Sequence, residues 1–150
     1  MRVHPLVLTL LVAAAVATGS CDESLSSVAG PTPNLQPTFS SIQSQIFENG
    51  DSSGRTACVS CHSGTGRNPL GGLNLDHAVA YDQCVNAPSR GRTGAIRVIP
   101  GDAEGSYMIH KLEGTPGIAG LRMPRDGPPY LTDGQVLIIK RWIAIGAPRN

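Results

Sequence analysis

The residues of this chain that could do chemistry sit in five consecutive positions, Cys58-Val59-Ser60-Cys61-His62. Cys-x-x-Cys-His is the attachment pattern of c-type haem. Two thiols three positions apart can each form a thioether to one of the two vinyl groups on a single porphyrin edge. The histidine that follows then offers an imidazole nitrogen to the iron. Two other uses of these residue types compete. A redox Cys-x-x-Cys pair goes with a βαβ setting, which the chain lacks. A structural zinc site needs a fourth ligand with its own spacing; Cys84 and His77 exist but form no second pair.

A second stretch completes the candidate site. Gly120-Leu121-Arg122-Met123-Pro124-Arg125-Asp126-Gly127-Pro128-Pro129 places a methionine in a Gly/Pro-rich loop, an odd position for a core residue. Pro124 biases its predecessor towards extended backbone and so restricts where Met123 points. A thioether sulfur suits haem iron and raises its reduction potential relative to a second imidazole. Met123 is therefore the expected distal ligand, opposite a proximal His62. Met108 is the rival, but it falls on an amphipathic helix, where methionine serves packing. His77 and His110 are expected at the surface or in caps, and Cys84 as a buried hydrophobe.

The elements that must position these residues are helices. Phe39, Ile42, Ile46 and Phe47 share one helical face and predict a helix over about 40–49, with Ser40 and Gln43 as a capping box and Asn49-Gly50 as its stop. The loop 50–57 then delivers the haem motif. The Gly/Asn/Pro-rich run 63–72 reads as loop, and Leu73 and Leu75 are expected to touch the haem edge. Asp76 is placed to cap a helix over about 77–84. Ile96 to Ile99 reads as a short extended piece, and Ser106 to Glu113 as a helix ended by Gly114. Thr132 to Gln135 is a capping box for a last helix over about 133–145, apolar on most faces and expected to be largely buried.

Composition sets the scale. The chain has 150 residues with 18 Gly and 12 Pro, and only 4% aromatics. Such a chain has little large apolar material for a core and needs a staple; a covalently held haem would be one. The net charge of +1 gives no basis for nucleic-acid binding. Residues 1–20 have the charge and apolar run of a secretory signal. Ala17-Thr18-Gly19-Ser20-Cys21 is similar to a bacterial lipobox, with Thr18 where leucine is usual, so Cys21 is the expected lipidation site. Ordinary cleavage near Ala17 to Ser20 is the alternative, leaving a soluble periplasmic protein. Residues 21–38, rich in Ser and Pro, read as a flexible tether. The expected domain is 39–150.

Over about 39–147 the chain resembles a bacterial single-haem c-type cytochrome, class I-like. The resemblance rests on the helix before the Cys58–His62 motif, Gly72-Leu73-Asn74-Leu75, Pro100-Gly101-Asp102 with Ser106, Arg122-Met123-Pro124, and the Trp142-Ile143 helix closing at Gly146-Ala147. It implies an all-α fold of three to five helices around one covalent haem c. The first and last helices would cross near the haem, with Phe47 and Trp142 in contact with it. It also implies an electron carrier rather than an enzyme, held outside the cytoplasm and exchanging electrons with redox protein partners. Arg67, Arg122 and Arg125 would face propionates, a partner's acidic patch, or solvent. The Gly-rich region 63–105 departs from compact cytochromes. A haem enzyme or gas sensor with an open sixth position, and a binding module merely stapled by haem, are the other readings.

Overall fold

The structure, a computed structural model, describes residues 30–66 and 68–150. The expected signal segment, Cys21, the first part of the tether and Arg67 lie outside the described residues. Among the described residues four α-helices form: Phe39–Ile42 (α1), Ala80–Cys84 (α2), Tyr107–Glu113 (α3) and Asp133–Ala144 (α4). Short 3-10 turns occur at Cys58–Ser60 and Leu70–Gly72. The described residues contain no strand, so the all-α class holds. Isolated bridges pair Val85 with Val98, Pro88 with Ile96 and Ile99 with Asp102. They fasten the extended 96–99 piece to the chain following α2.

The first helix departs from expectation. It is regular only over α1 and continues as a π-helix, Gln43–Phe47, in which the Glu48 amide donates to the Gln43 carbonyl five residues back (2.9 Å). The cap is not Ser40 with Gln43. Thr38 caps instead, its hydroxyl accepting from the Ser41 amide (3.2 Å). Gln43 cannot serve a capping box because it is buried and its Nε2 donates to the Leu75 carbonyl (2.8 Å) and to Glu48 (2.9 Å). The third-turn residues Ile46 and Phe47 are buried.

The second helix is also shorter than expected. Asp76 does not cap it: its carboxylate accepts from the Gly64 amide (3.0 Å) and ties down the loop after the Cys58–His62 motif. Residues 77–79 are turn, and α2 begins at Ala80.

The core is one cluster to which α1, α2, α3 and α4 all contribute. Phe39 meets Phe47, Tyr81 and Trp142 with ring centroids 6.4, 5.1 and 5.6 Å apart. Trp142 is fully buried, and its indole N–H donates to the Pro148 carbonyl (3.0 Å). The capping box at Thr132 and Gln135 opens α4 as its sequence predicts. Val136, Ile138, Ile139, Trp142 and Ile143 are buried, but Leu137 (40% exposed) and Ile145 (64%) face outward. The helix therefore buries one broad face rather than nearly all of its surface.

The packed domain also begins earlier than composition suggests. Leu35 is fully buried, and Thr32 accepts a hydrogen bond from Gln135 of α4 (3.1 Å). Within the Pro-rich segment, Thr32 and Leu35 thus belong to the packed domain rather than to a tether. Proline lowers the entropy of the unfolded chain, so a short Pro-rich run can be pinned at modest cost by one leucine and a few hydrogen bonds, among them Gln45 Nε2 to the Asn34 carbonyl (2.9 Å).

One buried ion pair organises the loop between the first helix and Cys58. Arg55 is 2% exposed and donates to Asp51 (2.9 Å). It also donates to the carbonyls of Ile46 (3.2 Å), Asn49 (3.0 Å), Gln45 (3.4 Å) and Thr56 (3.0 Å). These include the orphan carbonyls at the end of the first helix. Gly50 lies so close to the Arg55 carbonyl that a Cβ there would come within 2.4 Å of the oxygen. Burial pushes the Asp51 carboxyl up, but hydrogen bonds from Ser53, Gln135 and Arg55 outweigh it and hold the pKa at about 2 against an ordinary 3.8. A depressed carboxyl contributes stability above its unfolded value and loses it as pH falls through the folded value. The acid limb of thermal stability is therefore expected to fall between about pH 4 and pH 2. Asp51→Asn should flatten that limb in melting curves taken across the range.

Candidate functional site

The 3-10 turn Cys58–Ser60 sets the geometry of the motif. The Cys58 carbonyl accepts from the amides of Cys61 (3.1 Å) and His62 (2.9 Å). This curls the five residues so that Cys58, Cys61 and His62 line one cavity of about 410 Å³. That size lies within the usual range for small-ligand and cofactor sites, about 300–1,000 Å³. Ile46 and Phe47 from the first helix and Leu73 and Leu75 from the loop beyond His62 supply apolar wall. Met108, Lys111 and Leu112 of α3 and the segment Met123 to Asp126 line it from the other elements.

His62 is held from behind. The Cys61 carbonyl accepts from the Leu70 amide (3.1 Å), and the His62 carbonyl from the Leu75 amide (2.7 Å). The imidazole Nδ1 sits 2.9 Å from the Leu70 carbonyl. A carbonyl can only accept, so Nδ1 carries the hydrogen and Nε2 keeps its lone pair, as in metal-ligating histidines. Burial, the largest influence, pushes the His62 pKa down; hydrogen bonds to Leu70 and Leu73 push it up and lose. The ring is therefore neutral near pH 7, the form that ligates metals.

The thiols are free among the described residues. Cys58 donates to the Ile46 carbonyl (3.3 Å). Although part of Cys58 reaches the cavity, burial of its thiol pushes the pKa up to about 11. A redox dithiol needs a low-pKa attacking thiolate, so this environment opposes that reading. The zinc reading also lacks donors. Cys84 is fully buried in the core, its pKa pushed to about 12 by burial. His77 pairs with Glu48 at 2.9 Å, and His110 hydrogen-bonds the Glu104 carbonyl at 2.7 Å. None of the three lines the cavity.

Both methionine candidates line the cavity, Met123 from its loop and Met108 from α3. Met123 is followed by a cis peptide bond to Pro124. The donor set suits a covalently attached haem: two thiols close in sequence, a neutral imidazole of defined tautomer, a thioether from a distant segment, and apolar walls. Trp142 is not among the lining residues, because its ring is spent on Phe39 and the Pro148 carbonyl. This corrects the contact expected for it; Phe47 does line the cavity. Of the three arginines, Arg125 lines it, Arg122 stacks on Tyr130 (4.2 Å to the ring centre), and Arg67 lies outside the described residues.

Sequence reading overlooked Arg97. It is 8% exposed, lines the cavity, and donates to the carbonyls of Gln83 (2.7 Å) and Gly72 (3.0 Å). No carboxylate pairs with it among the described residues. The available signal was a lone charge inside the apolar run Ile96-Arg97-Val98-Ile99. Comparison of the chain with family models, with curated proteins and with solved structures finds no match.

Proposed function

We propose that this protein is an electron carrier with one haem c, attached through Cys58 and Cys61 and ligated by His62 and Met123. The observation that carries the reading is the convergence of these four residues on one cavity, with the His62 Nδ1 committed to the Leu70 carbonyl. A haem bound there supplies a one-electron ferric–ferrous couple. The chain's own part is to fix the ligands and tune their surroundings. Leu70 orients the imidazole and raises its basicity. Ile46, Phe47, Leu73 and Leu75 exclude water, which sharpens every electrostatic effect on the couple. Arg97 and Lys111 place positive charge beside the cavity, where it would favour the electron-rich state of a bound haem.

With both axial positions taken by protein, no substrate site remains on the metal, and the role is transfer rather than catalysis. The partners are other redox proteins, met through small, short-lived contacts. The proposed location is outside the cytoplasm, with lipid at Cys21 holding the domain to a bacterial membrane; cleavage without lipid would leave it soluble in the periplasm.

The test is the visible spectrum of the purified ferric and ferrous protein beside Met123→Ala. The wild type should be low-spin in both states. The variant should turn high-spin or take an exogenous ligand, and its potential should fall. A wild-type ferrous protein that binds carbon monoxide at once at neutral pH would instead favour an open-site enzyme or sensor. An unchanged spectrum in Met123→Ala would move the distal role to Met108.

A further inference from the structure

The segment that carries Met123 is a loop, and loops do not hold a ligand still unless something fastens them. The fastening is concentrated on α3. The Ala119 amide donates to the Tyr107 hydroxyl (2.8 Å). The Lys111 ammonium donates to the Ala119 carbonyl (2.7 Å) and also to the Leu121 carbonyl. The Met123 amide donates to the Lys111 carbonyl (2.8 Å), and Arg122 Nε to the Leu112 carbonyl (2.7 Å). Gly114, at φ 74° at the end of α3, makes room for this: a Cβ there would lie 2.9 Å from the Arg122 side chain.

Lys111 is the centre of that set. Its side chain holds two carbonyls just before Met123, and its backbone holds Met123 itself. No carboxylate pairs with it among the described residues, so its charge is spent on these carbonyls. Charged donors make stronger hydrogen bonds than neutral ones. Among the described residues, no backbone amide outside the helices donates to the Ala119 or Leu121 carbonyl.

We infer that Lys111 is a positioning residue for the distal ligand: its ammonium latches the 119–121 backbone to α3 and so keeps Met123 at the cavity. This inference rests on the proposed role of Met123. Without the latch, the loop samples open states, and the sixth position becomes reachable by small exogenous ligands. The fold keeps its core, because Lys111 and the two carbonyls it holds, those of Ala119 and Leu121, lie outside the buried cluster.

The experiment uses the haem-loaded protein with Lys111→Met, which keeps an apolar stem of similar length, and Lys111→Arg, which restores charged donors. Two readouts are taken. The first is the rate of carbon monoxide binding to the ferrous form. The second is amide hydrogen exchange at Ala119 and Met123, with Ile138 of α4 as an internal reference. Lys111→Met should accelerate both carbon monoxide binding and the two loop amides by about tenfold or more, the scale of losing a charged hydrogen bond. Ile138 should exchange as before, and Lys111→Arg should recover most of the loss. Loop amides and binding rates within twofold of the wild type in Lys111→Met would overturn the latch while leaving Met123 ligation intact. A wild type that already binds carbon monoxide at the variant's rate would remove both readings together. Equal acceleration at Ile138 would also overturn the latch, since it would mark general destabilisation.

Discussion

If the proposed haem is attached, the double variant Cys58→Ser, Cys61→Ser is expected to show no covalent haem on a denaturing gel and to lose most of its cooperative melting. Both thiols line the cavity of about 410 Å³ that the proposed haem would fill. A dry void costs about 24 cal/mol per Å³, which sets an upper bound of about 10 kcal/mol here, lowered by water entering at the mouth. Even a third of that is a large share of the roughly 5–15 kcal/mol that holds a domain together. The melting temperature should therefore drop by more than about 10 °C. Intact mass of the wild type gives the complementary check. If both thiols of the mature, denatured wild-type protein react with iodoacetamide, no thioether exists and the covalent reading is wrong.

Arg55→Met is expected to be nearly as damaging, for a reason unconnected with haem. The methionine keeps bulk but removes the guanidinium's hydrogen bonds to Asp51 and to four carbonyls. Breaking a buried ion pair by removing one partner costs about 3–5 kcal/mol, because the remaining charge stays buried without compensation. Asp51 still receives hydrogen bonds from Ser53 and Gln135, which places the loss at the lower end of that range. Urea titration of the wild type, Arg55→Met, Asp51→Asn and the double variant closes a cycle. The double variant should cost less than the two single losses added together. A loss below about 1 kcal/mol for Arg55→Met would show that the pair is not the organiser of this loop.

How much of this was legible in the sequence depended on how local the chemistry was. Cys58, Cys61 and His62 could be read because spacing alone brings them together. Met123 could be read because a Met-Pro pair in a Gly-rich loop has little packing value. The capping box at Thr132 and Gln135 was equally visible, since both halves lie within one turn. Arg55 was not legible: its partners are carbonyls, which every residue has, and no sequence pattern marks their convergence. Arg97 and Lys111 hid for the same reason. The cap of the first helix was misplaced by two residues because Thr38 and Ser40 both carry hydroxyls, and burial of Gln43 against Leu75 decided between them. Leu35 was lost in Pro-rich composition, and the outward faces of Leu137 and Ile145 in a helix whose apolar residues outnumber the space for them.

The attachment of Thr32 to Gln135 has a consequence for reach. If Cys21 bears the lipid, eleven Cα steps separate it from Thr32. At no more than about 3.6 Å per step, that stretch cannot pay out beyond roughly 40 Å from the bilayer. The carrier would then patrol a shallow layer about one protein diameter deep, and could serve neighbours that rise from the same lipid sheet but not ones across a wide compartment.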